Sequence, residues 1–451
     1  MNETVDARIA TLAKAAEQQL VYDRRDFHKH AESGWTEFRT ASLIAQRLTG
    51  LGYEVLSGRD VCSPEARMGL PPEDILESHW VRAQHESADP VFLESMRGGL
   101  NGVVGILRNG VGPVVGLRFD IDALDLAESE HPSHRPTAEG FASIHENVCH
   151  ACGHDGHAAI GLGIASLMSE LRSEIRGTVK LIFQPAEEGV RGARSMVAAG
   201  VVDDVDLLLG HHLVTGCSVG EIFPGMGGYA ATRKMDITFH GAPAHAGGSP
   251  EGGHNALLAA ANAVLNLYAL PRHRNGFTRV NVGKMTAGSG RNVIPSQATL
   301  VAEVRGENTE LCDSMYERAV AVIESAAAMY GCTSSIRAMG GAGTADSDEL
   351  LARRVQTIAS RIPGITFHTM EKMGGSEDFT EMMNRVQANG GQATNIGIGA
   401  DFHGTHYQDA NREKVLAAHT GSYDIDEGAL AFATRLMTTV VFDLMKYPKV
   451  T

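Results

Sequence analysis

The sequence predicts an α/β fold, a mixed sheet flanked by helices and interrupted by an inserted α+β sandwich. Three observations carry this. Apolar runs such as GTVKLIFQPAEEG and VDLLLGHHL end in adjacent acids or histidines, as buried strands do when their ends gather on one edge of a sheet. Beyond residue 227 the texture changes to alternating strands, RKMDITFHG, TRVNVGKMTAG and ATLVAEVRG, separated by helices. The first texture resumes near residue 340. With 451 residues the chain is too long for one core. It divides into one domain of 1–227 plus 339–451 and a second, 228–338, inserted within it.

The elements follow in order. Two helices fill 5–55, either side of a turn at Glu32-Ser33-Gly34. The stretch of about 58–100 contains CSPEARMGLPPED, whose prolines and charges break periodicity, so it reads as an insertion with short helices. GVVGILRNG and VGPVVGLRFDIDAL read as a hairpin and a buried strand, with Asp120 and Asp122 at the strand's end. A helix over 157–172 precedes the strand GTVKLIFQ, and VDLLLGHHL is the next. The inserted sandwich runs strand, helix (255–268), two strands, helix (311–330) and the strand TSSIRAMGG. Helices at 348–361 and 426–446 complete the chain.

Composition excludes several classes. A formal net charge of −15 disfavours a nucleic-acid surface. No apolar run approaches the roughly 20 residues that span a bilayer. The charged N-terminal helix lacks the apolar centre of a signal peptide. Six cysteines are sparse for a disulfide framework, so reduced thiols and a cytoplasmic location are expected.

The chemistry concentrates in HACGHDGHAAIG, residues 150–161. Cys152 and His154 form C-x-H in a glycine-containing turn, where both side chains can converge. Cys149 and Cys152 could instead be a redox pair, and His150 and His157 could simply support the turn. Glu187 and Glu188 end an apolar strand and are followed by glycine. Neighbouring carboxylates repel unless cations offset them, and a metal would let one bind while the other accepts a proton. Of His211 and His212, one should point inward. A further ligand is expected in AHTGSYDIDEGAL, at His419, with His403 and His406 in FHGTHYQD as rivals. Such a mixture of imidazole, carboxylate and thiolate suits zinc, manganese or cobalt better than calcium or magnesium.

The segments LRFDIDALDL, CHACGHDGHAAIGLG, FQPAEEGVRGARSM, LLLGHHL, PAHAGGSPEGGHNAL, GSGRNVIPSQA and GGSEDF resemble, in order, those of the M20 metallopeptidases. The resemblance is to the amidohydrolase branch, which includes aminoacylase-like, hippurate and auxin-conjugate hydrolases. It implies a dinuclear-metal catalytic domain with a lid that also dimerises. It implies that Cys152, His154, Glu188, His212 and His419 bind two divalent ions, manganese or zinc, with cobalt a third option. Glu187 is then the general base, His211 a structural residue, and Asp120 and Asp122 supports behind the ligands. His245 is implied to cross to a neighbouring protomer and stabilise the oxyanion. Asn292 is implied to touch substrate, Arg291 beside it to pair with a carboxylate, and Arg305 to be a weaker alternative. Gly374, Gly375 and Ser376 could present backbone donors.

The activity so implied is hydrolysis of an N-acyl amino acid, p-aminobenzoyl-glutamate first. A broader N-acyl-amino-acid amidohydrolase or dipeptidase is the alternative. From a different class comes a non-catalytic metal-binding member of a hetero-oligomer. The expected partners are a small-molecule substrate and a second copy or a related chain met through the lid, with no nucleic acid and no membrane.

Overall fold

The computed structural model describes residues 4–369, 375–402 and 417–446. The strands are β1 (Glu54–Ser57), β2 (Val103–Asn109), β3 (Val114–Asp120), β4 (Gly177–Gln184), β5 (Leu207–Val214), β6 (Glu221–Met226), β7 (Ala231–His240), β8 (Thr278–Ala287), β9 (Gln297–Gly306), β10 (Thr333–Ala342), β11 (Thr366–Phe367) and β12 (Gln392–Gly399). Eight of them form one mixed sheet in the order β1-β2-β4-β3-β5-β12-β6-β11, and the other four form an antiparallel sheet, β10-β7-β9-β8.

The large sheet is covered on both faces, which is why its central strands read as near-continuous apolar runs. On one face the helices Val5–Lys29, His154–Glu170 and Gly428–Leu444 pack together and share a core with Phe119, Phe183 and Leu209. The helix His154–Glu170 is almost wholly buried, and Gly161 lets it come close to the sheet. A Cβ there would meet the Phe183 ring at 2.6 Å. On the other face Phe379, Met382 and Met383 of the helix Phe379–Ala388 pack with Ile182 and Leu208. The small sheet buries Met235, Ile237, Phe239, Leu300 and Val304 beneath the helices Ala256–Tyr268 and Thr309–Met329, forming a separate core.

The hairpin expected at GVVGILRNG and VGPVVGLRFDIDAL is not formed. β4 lies between β2 and β3, antiparallel to the first and parallel to the second. The reason is the crossover through His154–Glu170, which returns the chain to the start of the sheet and gives β3 a parallel neighbour. β4 then offers its other edge to β2. Strands β6, β11 and β12 and the helix Phe379–Ala388 are additions that the sequence did not lead us to expect.

Parallel pairing of β3, β4, β5 and β12 brings their carboxyl ends to one edge. The insertion of about 58–100 carries two helices, Glu73–His85 and Pro90–Ser95. Its segment 68–70 runs across the molecule. The Trp35 indole donates to Met68 O at 2.8 Å, Arg191 to Gly69 O at 3.3 Å, and Arg337 on β10 to Leu70 O at 2.6 Å. Among the described residues no helix is long and apolar enough to cross a membrane. Cys149 and Cys152 are both buried and form no disulfide with each other.

Candidate metal centre

Most donors expected from the sequence meet at the carboxyl edge of the large sheet. Cys152 lies in the turn after which His154 opens its helix, and Gly153 between them takes a left-handed φ of 87° that an ordinary side chain would resist. Asp122, just past β3, accepts from the backbone N–H groups of Glu187 at 3.0 Å and Glu188 at 2.9 Å. That clamp holds the acidic pair in a turn flanked by Ala186 and Val190, both non-glycine residues at positive φ (51° and 58°). Backbone strain of this kind persists only where surrounding contacts over-determine it.

The imidazoles are oriented by second partners. His154 donates from Nδ1 to Asp122 O at 2.9 Å, leaving its buried Nε2 uncommitted among the described residues. His212 donates from Nδ1 to Leu213 O at 2.8 Å, and its Nε2 lies 3.6 Å from Cys152 Sγ. His419, at φ 63°, is fixed by its backbone N–H on Ala151 O at 2.8 Å, and its Nε2 is 3.5 Å from Glu188 Oε1. Among the sets of donor atoms that fall within 4.8 Å of one another are three made of expected site residues: Cys152 with His154 and His212, Cys152 with Glu188 and His419, and His154 with Glu187 and Glu188. Cys152 belongs to two of these sets, so its sulfur lies between them.

The nearby histidines have other employment. His157 donates from Nδ1 to Asp120 and accepts the Leu213 N–H on Nε2 at 3.0 Å, so it has no lone pair to offer. His211 is buried against Phe119 and His157, and burial holds it well below its ordinary pKa. His150 is buried too, and burial lowers its pKa to about 3. Asp120 is also an ion-pair partner of the buried Arg118. So Asp120 supports His157 rather than a candidate ligand at hydrogen-bond distance; its Oδ2 is 3.7 Å from His154 Nε2.

Electrostatics make this an unbalanced site without cations. Burial, then Glu377 and Glu188, raise the Glu187 pKa well above the ordinary range. Burial and then the Cys152 sulfur push Glu188 up to about 8. Burial would raise the Cys152 thiol, but the His212 and His154 imidazoles carry it well below its usual value. Two buried atoms, His154 Nε2 and Glu188 Oε1, have no hydrogen-bond partner among the described residues. Orphaned donors of this kind, with thiolate and carboxylate beside them, fit a divalent metal.

Behind the centre lies a buried ionic wall. Arg24 pairs with Asp155 at 2.7 Å and Asp424 at 2.9 Å, and His28 bridges Asp155 at 2.8 Å and Glu128 at 2.9 Å. Glu128 also accepts from His134 at 2.9 Å and from the Ser143 N–H at 2.6 Å. Although burial opposes it, these partners hold Glu128 down at a pKa of about 2.

A cavity of about 270 Å³ opens over the donors, lined among others by Cys152, Glu187, Glu188, His212, His419, Gly375 and Ser376. Ser376 spends its hydroxyl on Ala230 O at 2.7 Å, and Gly375 O accepts the Ala230 N–H. The remaining expected residues are elsewhere. His245 and Asn292 are exposed and adjacent, since Ala246 N–H donates to Asn292 O at 3.0 Å, and Arg291 is exposed beside them. None of the three lines the cavity of its own chain. Gly374, His403 and His406 lie outside the described residues. Sequence reasoning missed Tyr229, Lys234 and Glu377 in the cavity wall, and took Arg305, which is there, only as a weaker alternative. For Lys234 and Arg305 the available signal was polar residues alternating along β7 and β9, which read equally well as a solvent face; Glu377 stood within the segment GGSEDF.

The sequence model of peptidase family M20/M25/M40 matches residues 116–423. One of the chains that make up the p-aminobenzoyl-glutamate hydrolase of Escherichia coli (strain K12) is 45% identical over 93% of this chain and 94% of its own. The indole-3-acetyl-aspartic acid hydrolase of Enterobacter agglomerans is 44% identical, over 94% and 95% respectively. A dinuclear metal-binding peptidase of the M20 family from Bacillus subtilis, known from a crystal structure, superposes with a TM-score of 0.64 at 25% identity, covering 96% of this chain and 99% of that one.

Proposed function

The chain belongs to peptidase family M20/M25/M40, and from that premise we propose that it hydrolyses the amide bond of p-aminobenzoyl-glutamate, releasing p-aminobenzoate and glutamate. It is a hydrolase of that family and works with divalent metal. The observation that carries the reading is the convergence of Cys152, Glu188, His212 and His419 on one cavity, with Glu187 beside them and His154 within 4.8 Å of Cys152, His212 and both glutamates. Both hydrolases just compared are named for an aromatic acyl group joined to an acidic amino acid. This favours the aromatic acyl-glutamate over a general amidohydrolase or dipeptidase. The presence of Glu187 at the cavity argues against a chain without chemistry of its own.

In this reading Cys152, His154, Glu188, His212 and His419 hold two ions, manganese or zinc, with cobalt as a third option. When bound, those ions would polarise the amide carbonyl and acidify the attacking water. Glu187 takes the water's proton and later delivers it to the leaving amine. His245 accepts the N–H groups of Gly247 and Gly248 on Nδ1, at 3.1 and 3.0 Å, which leaves Nε2–H as a donor. Because His245 does not line its own chain's cavity, we assign it to the oxyanion of a neighbouring protomer's substrate. Asn292 and Arg291 reach the substrate carboxylate from the same loop, with the Gly375 and Ser376 backbone on the opposite wall. Residues 228–338 serve as the lid and dimerisation domain within a catalytic domain of 1–227 and 339–451. The partner is a second copy or a related chain.

Elemental analysis of the purified protein, paired with p-aminobenzoate release before and after chelation, tests this. Bound divalent metal, loss of hydrolysis on chelation and recovery on adding metal back are expected. Metal-replete protein that cleaves acyl-glycines or dipeptides but not p-aminobenzoyl-glutamate overturns the substrate assignment.

A further inference from the structure

The cavity over the donors is acidic on most sides: Glu187, Glu188, Glu377 and the Cys152 thiolate all face it. Two cations from the small sheet also face it, Lys234 of β7 and Arg305 of β9. Strand alternation places them there. Met235, Ile237 and Phe239 of β7, and Ala302 and Val304 of β9, point into the helix-covered core, so Lys234, Glu303 and Arg305 share the opposite, open face. Lys234 stands directly across from Glu303 in the antiparallel register.

The two cations differ in what they have left to give. Arg305 forms a bidentate pair with Glu303, at 2.9 and 3.2 Å. Lys234 is half-buried and forms no hydrogen bond or ion pair among the described residues, so its three N–H donors have no protein acceptor. Burial lowers its pKa, with Arg305 adding to the effect, while Glu303, Glu187 and Glu188 oppose it. A half-buried, unpartnered ammonium within a cavity of this size is costly unless an anion arrives with the ligand.

The geometry points to Lys234, backed by Arg305, as the subsite for the side-chain carboxylate of an acidic amino acid in the leaving half of the substrate. This rests on the acyl-glutamate reading, which gives the ligand two carboxylates. The α-carboxylate common to every N-acyl amino acid is assigned to Arg291 and Asn292, so the second needs a partner of its own. An ammonium inside the acidic cavity is the group that makes entry of a second anion favourable. Lys234 is therefore a specificity-determining residue rather than part of the proton-transfer machinery.

The test compares Lys234→Met, which keeps the stem and removes the charge, and Lys234→Arg with the unaltered metal-loaded protein. The substrates are p-aminobenzoyl-glutamate and p-aminobenzoyl-glutamine. For Lys234→Met, kcat/KM on the glutamate conjugate should fall about 10- to 100-fold, as expected for losing a charge-assisted hydrogen bond. The loss should sit in KM, with the glutamine conjugate changed much less and the pH profile of kcat unmoved. Lys234→Arg should keep the preference. An unchanged glutamate-to-glutamine ratio in Lys234→Met overturns the proposal. So does an equal loss on both conjugates with a shifted pH profile, which would tie Lys234 to Glu187 instead. If the unaltered protein cleaves neither conjugate, the acyl-group reading fails, and calorimetric binding of free glutamate against glutamine decides the role of Lys234. Selective loss of glutamate binding in Lys234→Met supports the subsite, and equal binding refutes it.

Discussion

The two sheets contribute unequal halves of one site. The candidate metal donors gather at the edge of the eight-stranded sheet, and several stand ready oriented: His154 and His212 are each fixed by a second hydrogen bond, and Asp122 clamps the acidic pair. The four-stranded sheet carries residues proposed for recognition, and most of them lie away from the cavity of their own chain. His245, Arg291 and Asn292 are exposed and away from the cavity, while Lys234 and Arg305 alone reach in from that sheet. On the assignments proposed above, the difference teaches that the chemistry can be complete within one chain while substrate recognition is shared with another. Rigidity belongs where bond-making groups must hold sub-ångström positions, and mobility where a ligand must enter and leave.

The comparison breaks most sharply at Glu187. Replacing it with Gln should lower kcat by about 10²–10⁴-fold, the range of general acid–base catalysis, with bound metal unchanged by elemental analysis. Near-normal turnover would remove the carboxylate from its assigned role. Next in size is His245→Ala, which should lower kcat by about 10²–10³-fold with little change in KM, as for an oxyanion donor. Mixing and refolding that variant with Glu187→Gln sharpens the point. Hybrid dimers should regain activity if His245 serves the neighbouring protomer, and stay inactive if each chain uses its own. The smallest effect concerns the ionic wall behind the metal donors. The Glu128 carboxyl takes its proton near pH 2 when folded but near its ordinary 4.5 when unfolded, so in that window the unfolded chain binds more protons. Stability from Glu128 is present above 4.5 and is lost as pH falls toward 2. Glu128→Gln should therefore cost about 1–3 kcal/mol at neutral pH, read by denaturant melts, with the difference closing as the solution is acidified.

Much of the metal half was legible because its residues sit at the ends of apolar strands and in a glycine turn, where spacing itself betrays convergence. Cys152, His154, Glu187, Glu188 and His212 are of this kind, and the structure gathers all of them. The order of β2, β4 and β3 was not legible, since β4 reaches its place only after a long crossover and nothing local marks which edge it will take. The positive φ of Ala186 and Val190 left no trace either, because neither residue type favours it. Asp378 is a further instance. Its carboxylate accepts the N–H groups of Gly192 and Ala193, at 3.0 and 2.9 Å, across 186 and 185 residues of chain, a long-range contact invisible to any window. Lys234 was missed because a polar residue alternating with apolar ones reads as solvent-facing until a second sheet is placed opposite.

The segment 68–70 gives the arrangement a mechanical property. The backbone passes between the two sheets at each end of the smaller one. Three successive carbonyls gripped by Trp35, Arg191 and Arg337 add a stay between hull and boom. Arg191 also donates to Glu188 O at 2.8 Å, so tension in the stay is felt, through one guanidinium, at the turn that carries the acidic pair.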